Sequence, residues 1–154
     1  MDSIRNINIE RLNIRHINAL KALHHLCLPY VSYSDASWRS FIMNDPYYTF
    51  GLLENDNPIA FLISSIIDDD SEVISIGVHP DWRGQSLASQ MIQHISQITK
   101  NLYLEVASDN IAAINCYRKL GFQHIGVRKN YAIGINGRII DFFTMSKKMK
   151  KCFT

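Results

Sequence analysis

The stretch from Ile74 to Ile92, ISIGVHPDWRGQSLASQMI, constrains the fold more than any other part of the sequence. It begins as a β-rich run, turns at Pro80 and Gly84, and continues with apolar residues at helical spacing. The apolar face predicted for this helix consists of Leu87, Met91, Ile95 and Ile98. The chain is therefore expected to contain a strand that passes through a short turn into an amphipathic helix.

The short turn has the features of an anion site. A helix that begins directly after a strand directs unpaired backbone N–H groups, and the positive end of its dipole, at the turn. The turn also carries Arg83. Such a turn suits a phosphate or a pyrophosphate. An ordinary turn between a strand and a helix fits the same residues.

Length and composition limit the class of protein. At 154 residues, 47% hydrophobic and 19% charged, the chain is predicted to form one soluble domain, 1–154. The net charge of +2 is too small to indicate a nucleic acid or a membrane as partner. Cys27, Cys116 and Cys152 lack CxxC spacing, which favours reduced thiols and a cytoplasmic location. The first residues lack the apolar core of a signal peptide, and the basic tail 147–152 is typical of a solvated end.

Periodicity predicts the element order β-α-α-β-β-β-α-β-α-β-β. The predicted strands are 7–14, 47–53, 59–67, 72–78, 102–106, 122–132 and 138–145. The predicted helices begin at Asn18, at Ser34 or Asp35, after Gly84, and at 108–110. Asn136-Gly137 predicts a hairpin between the last two strands. Hairpins followed by strand–helix–strand units imply a mixed sheet in an α/β domain.

Two motifs resemble signatures of the GNAT acetyltransferase superfamily. The first is Arg83-Gly84-Gln85-Ser86-Leu87-Ala88, which resembles the family's acyl-CoA pyrophosphate loop, with Ser86 where the family usually has glycine. The second is the run 102–122, LYLEVASDNIAAINCYRKLGF, which is similar to L-x-V-x-x-x-N-x-x-A-x-x-x-Y-x-x-x-G-F. The resemblance implies the GNAT fold, with a mixed, mostly antiparallel central sheet flanked by helices. It also implies acetyl-CoA as cosubstrate.

Further residues resemble the protein N-terminal acetyltransferases of the ribosomal-protein alanine type. These are Leu104-Glu105-Val106 and Arg128-Lys129-Asn130-Tyr131, although Ala132 replaces the second tyrosine of the usual pair. The resemblance implies transfer to a primary amine, favouring the α-amine of a peptide or protein N-terminus. A small-molecule amine acetyltransferase, of polyamine or antibiotic type, and a non-catalytic acyl-CoA-binding module are the alternatives. The enzyme would act as a monomer or a homodimer.

The chemistry of acetyl transfer suggests roles for three residues. The reaction needs a neutral amine, stabilisation of an oxyanion and a proton for the leaving thiolate. Tyr117 suits the proton donor because a phenol pKa near ~10 lies above a thiol pKa of ~8.5, although a helix tyrosine also packs in cores. Glu105 is the candidate base, directly or through water, although a strand-end carboxylate can simply pair with a lysine. Glu72, on the neighbouring strand, is the rival base.

The resemblance implies further binding roles. Ile76 and Val78 would offer backbone groups to the pantetheine arm of the cofactor, and Tyr117 would contact the cofactor as well. Asn110 would bond the same arm, although it also fits a helix cap. The acceptor slot would be lined by Tyr30, Tyr33 and Tyr131, although ordinary half-buried aromatics fit these positions. The six histidines show no metal-ligand spacing, so no metal is expected.

Overall fold

A computed structural model describes residues 7–134 and 136–149. Its strands are β1 (Ile7–Arg11), β2 (Tyr47–Glu54), β3 (Asn57–Ile67), β4 (Asp70–Val78), β5 (Asn101–Ala107), β6 (Gln123–Ile133) and β7 (Ile139–Lys148). Its α-helices are α1 (Ile17–Cys27), α2 (Asp35–Met43), α3 (Leu87–Ser96) and α4 (Ile111–Lys119). Short 3-10 turns cover Ile14–His16 and Pro80–Trp82. The predicted order of strands and helices is confirmed.

The strands form one seven-stranded sheet in the order β1-β2-β3-β4-β5-β7-β6. Every neighbouring pair is antiparallel except β4 and β5, which are parallel. The sheet is therefore mixed and mostly antiparallel, as expected. None of the helices in 7–134 and 136–149 is long and apolar enough to cross a membrane.

The parallel pair β4–β5 separates part-way along its length. Its register runs from Asp70 opposite Asn101 to Val73 opposite Leu104, and it stops there although both strands continue. The pairing of β3 with β4 shifts register at the same level, which leaves Ile74 without an opposite residue. A bulge of this kind bends and twists a strand. We call the space between the two strands beyond Val73 and Leu104 the strand gap.

A buried apolar layer covers each face of the sheet. The consecutive apolar residues of β3 supply both layers, because successive side chains of a strand point to opposite faces. On the α3 and α4 side the layer includes Leu62, Met91, Ile95, Leu104 and Ile114. On the α1 and α2 side it includes Leu20, Leu23, Trp38, Phe61 and Ile63. The helices are thus fixed on both sides of the strand gap.

The prediction for the first strand and helix was wrong in its boundaries. β1 ends at Arg11, and Asn13 rather than Asn18 caps the turn that follows. The Asn13 side chain accepts a hydrogen bond from the Arg15 N–H, and the His16 ring accepts one from the Asn13 N–H. This reciprocal pair is a capping box, which starts a helical segment earlier than the apolar periodicity indicates. Asn18 therefore lies inside α1.

The apolar face of α3 is confirmed except at its end. Leu87, Met91 and Ile95 are buried, whereas Ile98 lies beyond the end of the helix and is 47% exposed. In α2, Ser34 is the cap, and Trp38, Phe41 and Ile42 are buried. Residues 150–152 of the basic tail lie outside the described part of the chain.

Gly77 of β4 allows a close approach between the sheet and α1. It lies opposite Phe61 of β3, and a Cβ at Gly77 would lie 2.6 Å from Cε1 of that ring. The same Cβ would lie 3.0 Å from the Cβ of Cys27 at the end of α1. Contacts this short force neighbouring groups to move, so a larger residue at position 77 would push the ring or the helix aside.

We expect Gly77→Ala to lower the free energy of unfolding by about 1–3 kcal/mol, the usual cost of overpacking a core. Urea denaturation monitored by circular dichroism measures this change. Gly126→Ala is the matched control on β6, because the nearest atom to its added Cβ, the Thr144 Cβ, is 3.9 Å away. Equal stability of the two variants would contradict the overpacking argument.

Candidate functional site

Two cavities meet at the strand gap. The turn cavity, of about 800 Å³, lies between the end of β4, the turn into α3 and the start of α4. The hairpin cavity, of about 440 Å³, lies between β4, β5, the loop after α1 and the β6–β7 hairpin. The residues that line both cavities are Cys27, Leu28, Ile76, Asn110, Ala113 and Tyr117. A molecule in the turn cavity can therefore meet a molecule in the hairpin cavity beside Tyr117.

The turn cavity is built around the backbone between Arg83 and Leu87. Gly84 and Ser86 both have left-handed backbone conformations, with φ of 78° and 61°. This folds the chain tightly before α3, whose first N–H groups lack partners within the helix. The predicted residues that line the cavity are Ile76, Val78, Arg83, Gly84, Ser86, Leu87, Ala88, Asn110 and Tyr117. Gln85 is exposed and does not line it.

Arg83 is fixed to the end of β4. Its Nε donates a hydrogen bond to the Val78 carbonyl at 3.2 Å, and the Cys27 thiol contacts the same oxygen at 3.4 Å. Burial raises the pKa of the Cys27 thiol, while the nearby Arg83 guanidinium opposes that rise. The arginine thus keeps a positive charge beside the turn without closing the cavity.

Ser86 departs from the usual behaviour of a helix-capping serine. It precedes α3, but its side chain makes no capping hydrogen bond, and its ψ is 25°. A left-handed conformation costs roughly 1–2 kcal/mol for residues other than glycine. The cavity therefore contains a strained serine at a position where glycine would fit without strain.

Tyr117 lies where the two cavities meet. It projects from α4, and its ring packs edge-on against Phe122 with centroids 5.9 Å apart. Burial raises its pKa to about 12, so the phenol keeps its proton throughout the ordinary pH range. Within the described residues its hydroxyl has no hydrogen-bond partner. The hydroxyl is thus available to a molecule in the cavities.

Glu105 is the carboxylate that the structure brings to the same site. It lies on β5 and lines the hairpin cavity with Tyr117. Its Oε1 lies 2.8 Å from Nε of Arg128 in an ion pair, and its side chain is 20% exposed. Glu72 is exposed on β4 and lines neither cavity. The geometry therefore joins Glu105, and not Glu72, with Tyr117.

The predicted acceptor tyrosines have different environments. Tyr30, which is 82% exposed, and Tyr33, which packs on Phe41 and Trp38, both line the hairpin cavity. Tyr131 does not line it, but its ring lies 4.7 Å from the Arg128 guanidinium carbon. The tyrosines therefore form a rim rather than a continuous wall.

Sequence reasoning missed several residues of the hairpin cavity. Ile133, Gly134 and Phe142 line it, because the β6–β7 hairpin folds back over the strand gap. Ser75 also lines it, and its hydroxyl oxygen is shielded from solvent without a partner among the described residues. No local signal marks these residues, since their position depends on the order of strands in the sheet.

A possible metal-binding cluster lies away from the cavities. Glu10, His16 and Asp56 bring potential ligand atoms within 4.8 Å of one another. Nδ1 of His16 accepts the Asn13 N–H, so the neutral ring carries its proton on Nε2, which donates to Asp56 at 3.1 Å. Arg15 pairs with the same carboxylate, and these bonds lower the Asp56 pKa to about 2. Asp56 and His16 are therefore already engaged with each other and with Arg15, which leaves them less available to a metal ion.

Comparison with known proteins identifies the family. Residues 17–122 match the sequence model of the Acetyltransferase (GNAT) family. The chain belongs to the GNAT family. The [ribosomal protein bS18]-alanine N-acetyltransferase of Escherichia coli (strain K12) is 34% identical over 109 residues, which are 66% of this chain and 74% of that protein.

Two further similarities agree with this assignment. A putative [ribosomal protein bS18]-alanine N-acetyltransferase of Bacillus subtilis (strain 168) is 28% identical over 135 residues, 84% of this chain and 85% of that protein. The crystal structure of the ribosomal-protein-S18-alanine N-acetyltransferase from Escherichia coli has a TM-score of 0.84 at 26% identity, covering 96% of both chains. The predicted family, fold and enzyme class, an N-acetyltransferase, are confirmed.

The strain at Ser86 of this GNAT acetyltransferase gives a testable expectation. Ser86→Gly should leave acetyl-CoA binding equal or tighter and should raise the free energy of unfolding by up to about 1 kcal/mol, because glycine adopts positive φ freely. Titration calorimetry and urea denaturation measure the two quantities.

The matched control is Gln93→Gly, an exposed position of α3 outside both cavities. There glycine should lower stability by about 0.5 kcal/mol through its poorer helix propensity. Much weaker binding by Ser86→Gly alone would instead make the Ser86 hydroxyl a ligand of the cofactor.

Proposed function

We propose that this enzyme transfers the acetyl group of acetyl-CoA directly to the N-terminal α-amine of a peptide or protein. The observation that carries the proposal is the meeting of two cavities at Tyr117, with Glu105 in the second one. The enzyme can then bind its two substrates in separate places and join them at one point. The relatives reported above, whose names specify an alanine of a ribosomal protein, support this acceptor class.

The turn cavity suits the cofactor. The pyrophosphate would lie on the N–H groups of the turn 83–88 and the positive end of α3, near Arg83. Beyond Val73, the β4 edge that faces β5 has no strand partner among the described residues. Its backbone groups, at Ile76 and Val78, can bond the amides of the pantetheine arm as a neighbouring strand would.

Asn110 can hold the same arm while it caps α4. Its side-chain oxygen accepts the N–H of Ala113 at 3.2 Å, which satisfies one of the first donors of the helix. The side-chain NH₂ group then remains free to donate to a carbonyl of the arm. The two roles considered for this residue are compatible.

The thioester would lie in the strand gap with the amine in the hairpin cavity. As the N–C bond forms and the C–S bond breaks, the amine proton passes to Glu105, directly or through a water. Tyr117 donates its proton to the leaving thiolate, a transfer that its protonated state permits. Backbone N–H groups of β4 would stabilise the oxyanion. Glu72, outside both cavities, has no role in this scheme.

The ionisation of amines favours an α-amine as acceptor. At pH 7 an α-amine with a pKa of ~8 is about one unit from neutrality, whereas a lysine at ~10.4 is about 3.4 units away. The difference is roughly 3 kcal/mol in favour of the α-amine, at ~1.36 kcal/mol per unit. A site with one carboxylate as base suits the amine that deprotonates more easily.

We expect Tyr117→Phe to lower turnover by about 10²–10⁴-fold, because the ring remains while the proton donor is lost. Acetyl-CoA affinity, measured by calorimetry, should stay within about twofold, since the packing against Phe122 is kept. Tyr103→Phe on β5, outside both cavities, is the matched control and should keep full turnover. Normal turnover by the Tyr117 variant would assign that residue to packing.

A substrate panel tests the acceptor class. Peptides with a free N-terminus should be acetylated, and the same peptides acetylated beforehand at the N-terminus should not be, even when they contain lysine. Mass spectrometry gives the site of each product. Acetylation of blocked peptides, or of polyamines and aminoglycosides alone, would refute the proposed acceptor. Acetyl-CoA binding without any turnover would favour the non-catalytic module.

A further inference from the structure

The ion pair between Glu105 and Arg128 crosses a whole strand. Glu105 lies on β5 and Arg128 on β6, while β7 runs between them. Neighbouring strands are about 4.8 Å apart, so the side chains span roughly 10 Å of sheet. The Nε–Oε1 distance is nevertheless only 2.8 Å. The long side chain of Arg128 therefore reaches across the sheet to Glu105, which is the carboxylate lining the site among the described residues.

A second contact holds the arginine in this position. The guanidinium carbon of Arg128 lies 4.7 Å from the centre of the Tyr131 ring, within the range of a cation–π interaction. Tyr131 in turn packs against Phe142, which lines the hairpin cavity. The arginine is thus held by Glu105 at one end and by an aromatic ring on its face. The ion-pair contact is to Oε1 of the carboxylate, and Oε2 accepts no hydrogen bond from the residues that the structure describes, so it remains available.

We propose that Arg128 is a positioning residue that makes the site select and maintain the neutral form of the acceptor amine. The inference rests on the proposed transfer to an amine. Together Glu105 and Arg128 carry no net charge, so an arriving ammonium ion finds no excess negative charge. It also meets a like charge held beside the carboxylate. A neutral amine can still donate a hydrogen bond to Oε2, and only the neutral amine attacks a thioester.

The direction of the pH effect follows from charge. A cation within ~4–6 Å disfavours the charged form of an amine and lowers its pKa, whereas an unpaired carboxylate raises it. If Arg128 is replaced by a neutral residue, Glu105 remains without its partner. The pKa of the bound amine then rises, and less of the amine is neutral at pH 7. The acid side of the kcat profile must move to higher pH.

Other ionisable groups around the pair do not replace the arginine. Those lining the same cavity are Cys27, Tyr30, Tyr33 and Tyr117. Those on adjoining elements are Glu72 on β4, Asp109 before α4, Lys129 on β6, and Arg138 and Asp141 at the hairpin. Among the described residues, Arg128 is the cation that contacts Glu105.

The test compares Arg128→Gln, Arg128→Lys and the control Lys129→Gln. Lys129 is the next residue on β6 and is exposed. Its substitution by glutamine removes one positive charge, as Arg128→Gln does, but Lys129 has no described contact with Glu105. For each protein, kcat and KM are measured from pH 6 to pH 10 with a peptide of free N-terminus. Arg128 is largely exposed, with 55% of its side chain accessible, so its variants should fold.

We expect Arg128→Gln to shift the acid side of the kcat profile upward by about one pH unit. At pH 7, kcat should fall about tenfold, the peptide KM should not rise, and turnover should recover near pH 9. Arg128→Lys should keep most of the original profile because it keeps the charge. Lys129→Gln should match the unchanged enzyme, and the KM for acetyl-CoA should be constant throughout.

Three results would overturn the inference. The first is an unshifted profile in Arg128→Gln, the second is a loss of kcat by the same factor at every pH, and the third is an equal shift in Lys129→Gln. If the unchanged enzyme acetylates only small amines, the proposed acceptor class fails. The inference about Arg128 is then tested by the same pH comparison with one of those small amines as substrate. If no amine is acetylated, both the proposed function and this inference fail. If peptides are acetylated but the profiles coincide, only this inference fails.

Discussion

The separation of β4 from β5 is the constraint on which the rest of the structure depends. Two parallel strands that stay paired would leave no room between them, and each would satisfy the backbone groups of the other. Here pairing stops at Val73 and Leu104, so the following residues face an open gap. The bulge at Ile74 bends one wall of the gap, while α4 and the β6–β7 hairpin cover its ends. Both cavities exist because of this separation.

Features carried by contiguous stretches of chain could be predicted from the sequence. The turn 83–88 and the Tyr117 helix are local motifs, and the structure brings them to the same cavity. The ends of helices were harder to predict where two similar sequence signals lie close together. Asn13 and Asn18 are both plausible caps, and the hydrogen bond from the Asn13 N–H to the His16 ring decides between them. Ile98 continues the apolar spacing, but α3 has already ended at Ser96.

Features that depend on sheet order could not be predicted in the same way. Pairing of Glu105 with a lysine was the alternative to its role as base, but nothing local indicates that its partner is an arginine two strands away. The same holds for the lining residues Phe142 and Ile133. Either face of a hairpin strand could line the cavity until the register of the strand is known. The motif therefore predicted the candidate reacting groups, whereas the residues that surround them could be found only from the fold.

The edge of β4 that has no strand partner among the described residues also has a consequence for stability, if the acyl donor binds there as proposed. A ligand that bonds to this edge binds the folded chain and not the unfolded one, so it adds to stability by mass action. At about a hundred times its dissociation constant the gain is about 2.7 kcal/mol, a sizeable part of the stability of a small domain. Scarcity of the acyl donor would then raise the unfolded fraction and expose the chain to proteolysis. If the strand gap admits the acyl donor, the abundance of the enzyme would thus depend on the supply of that donor.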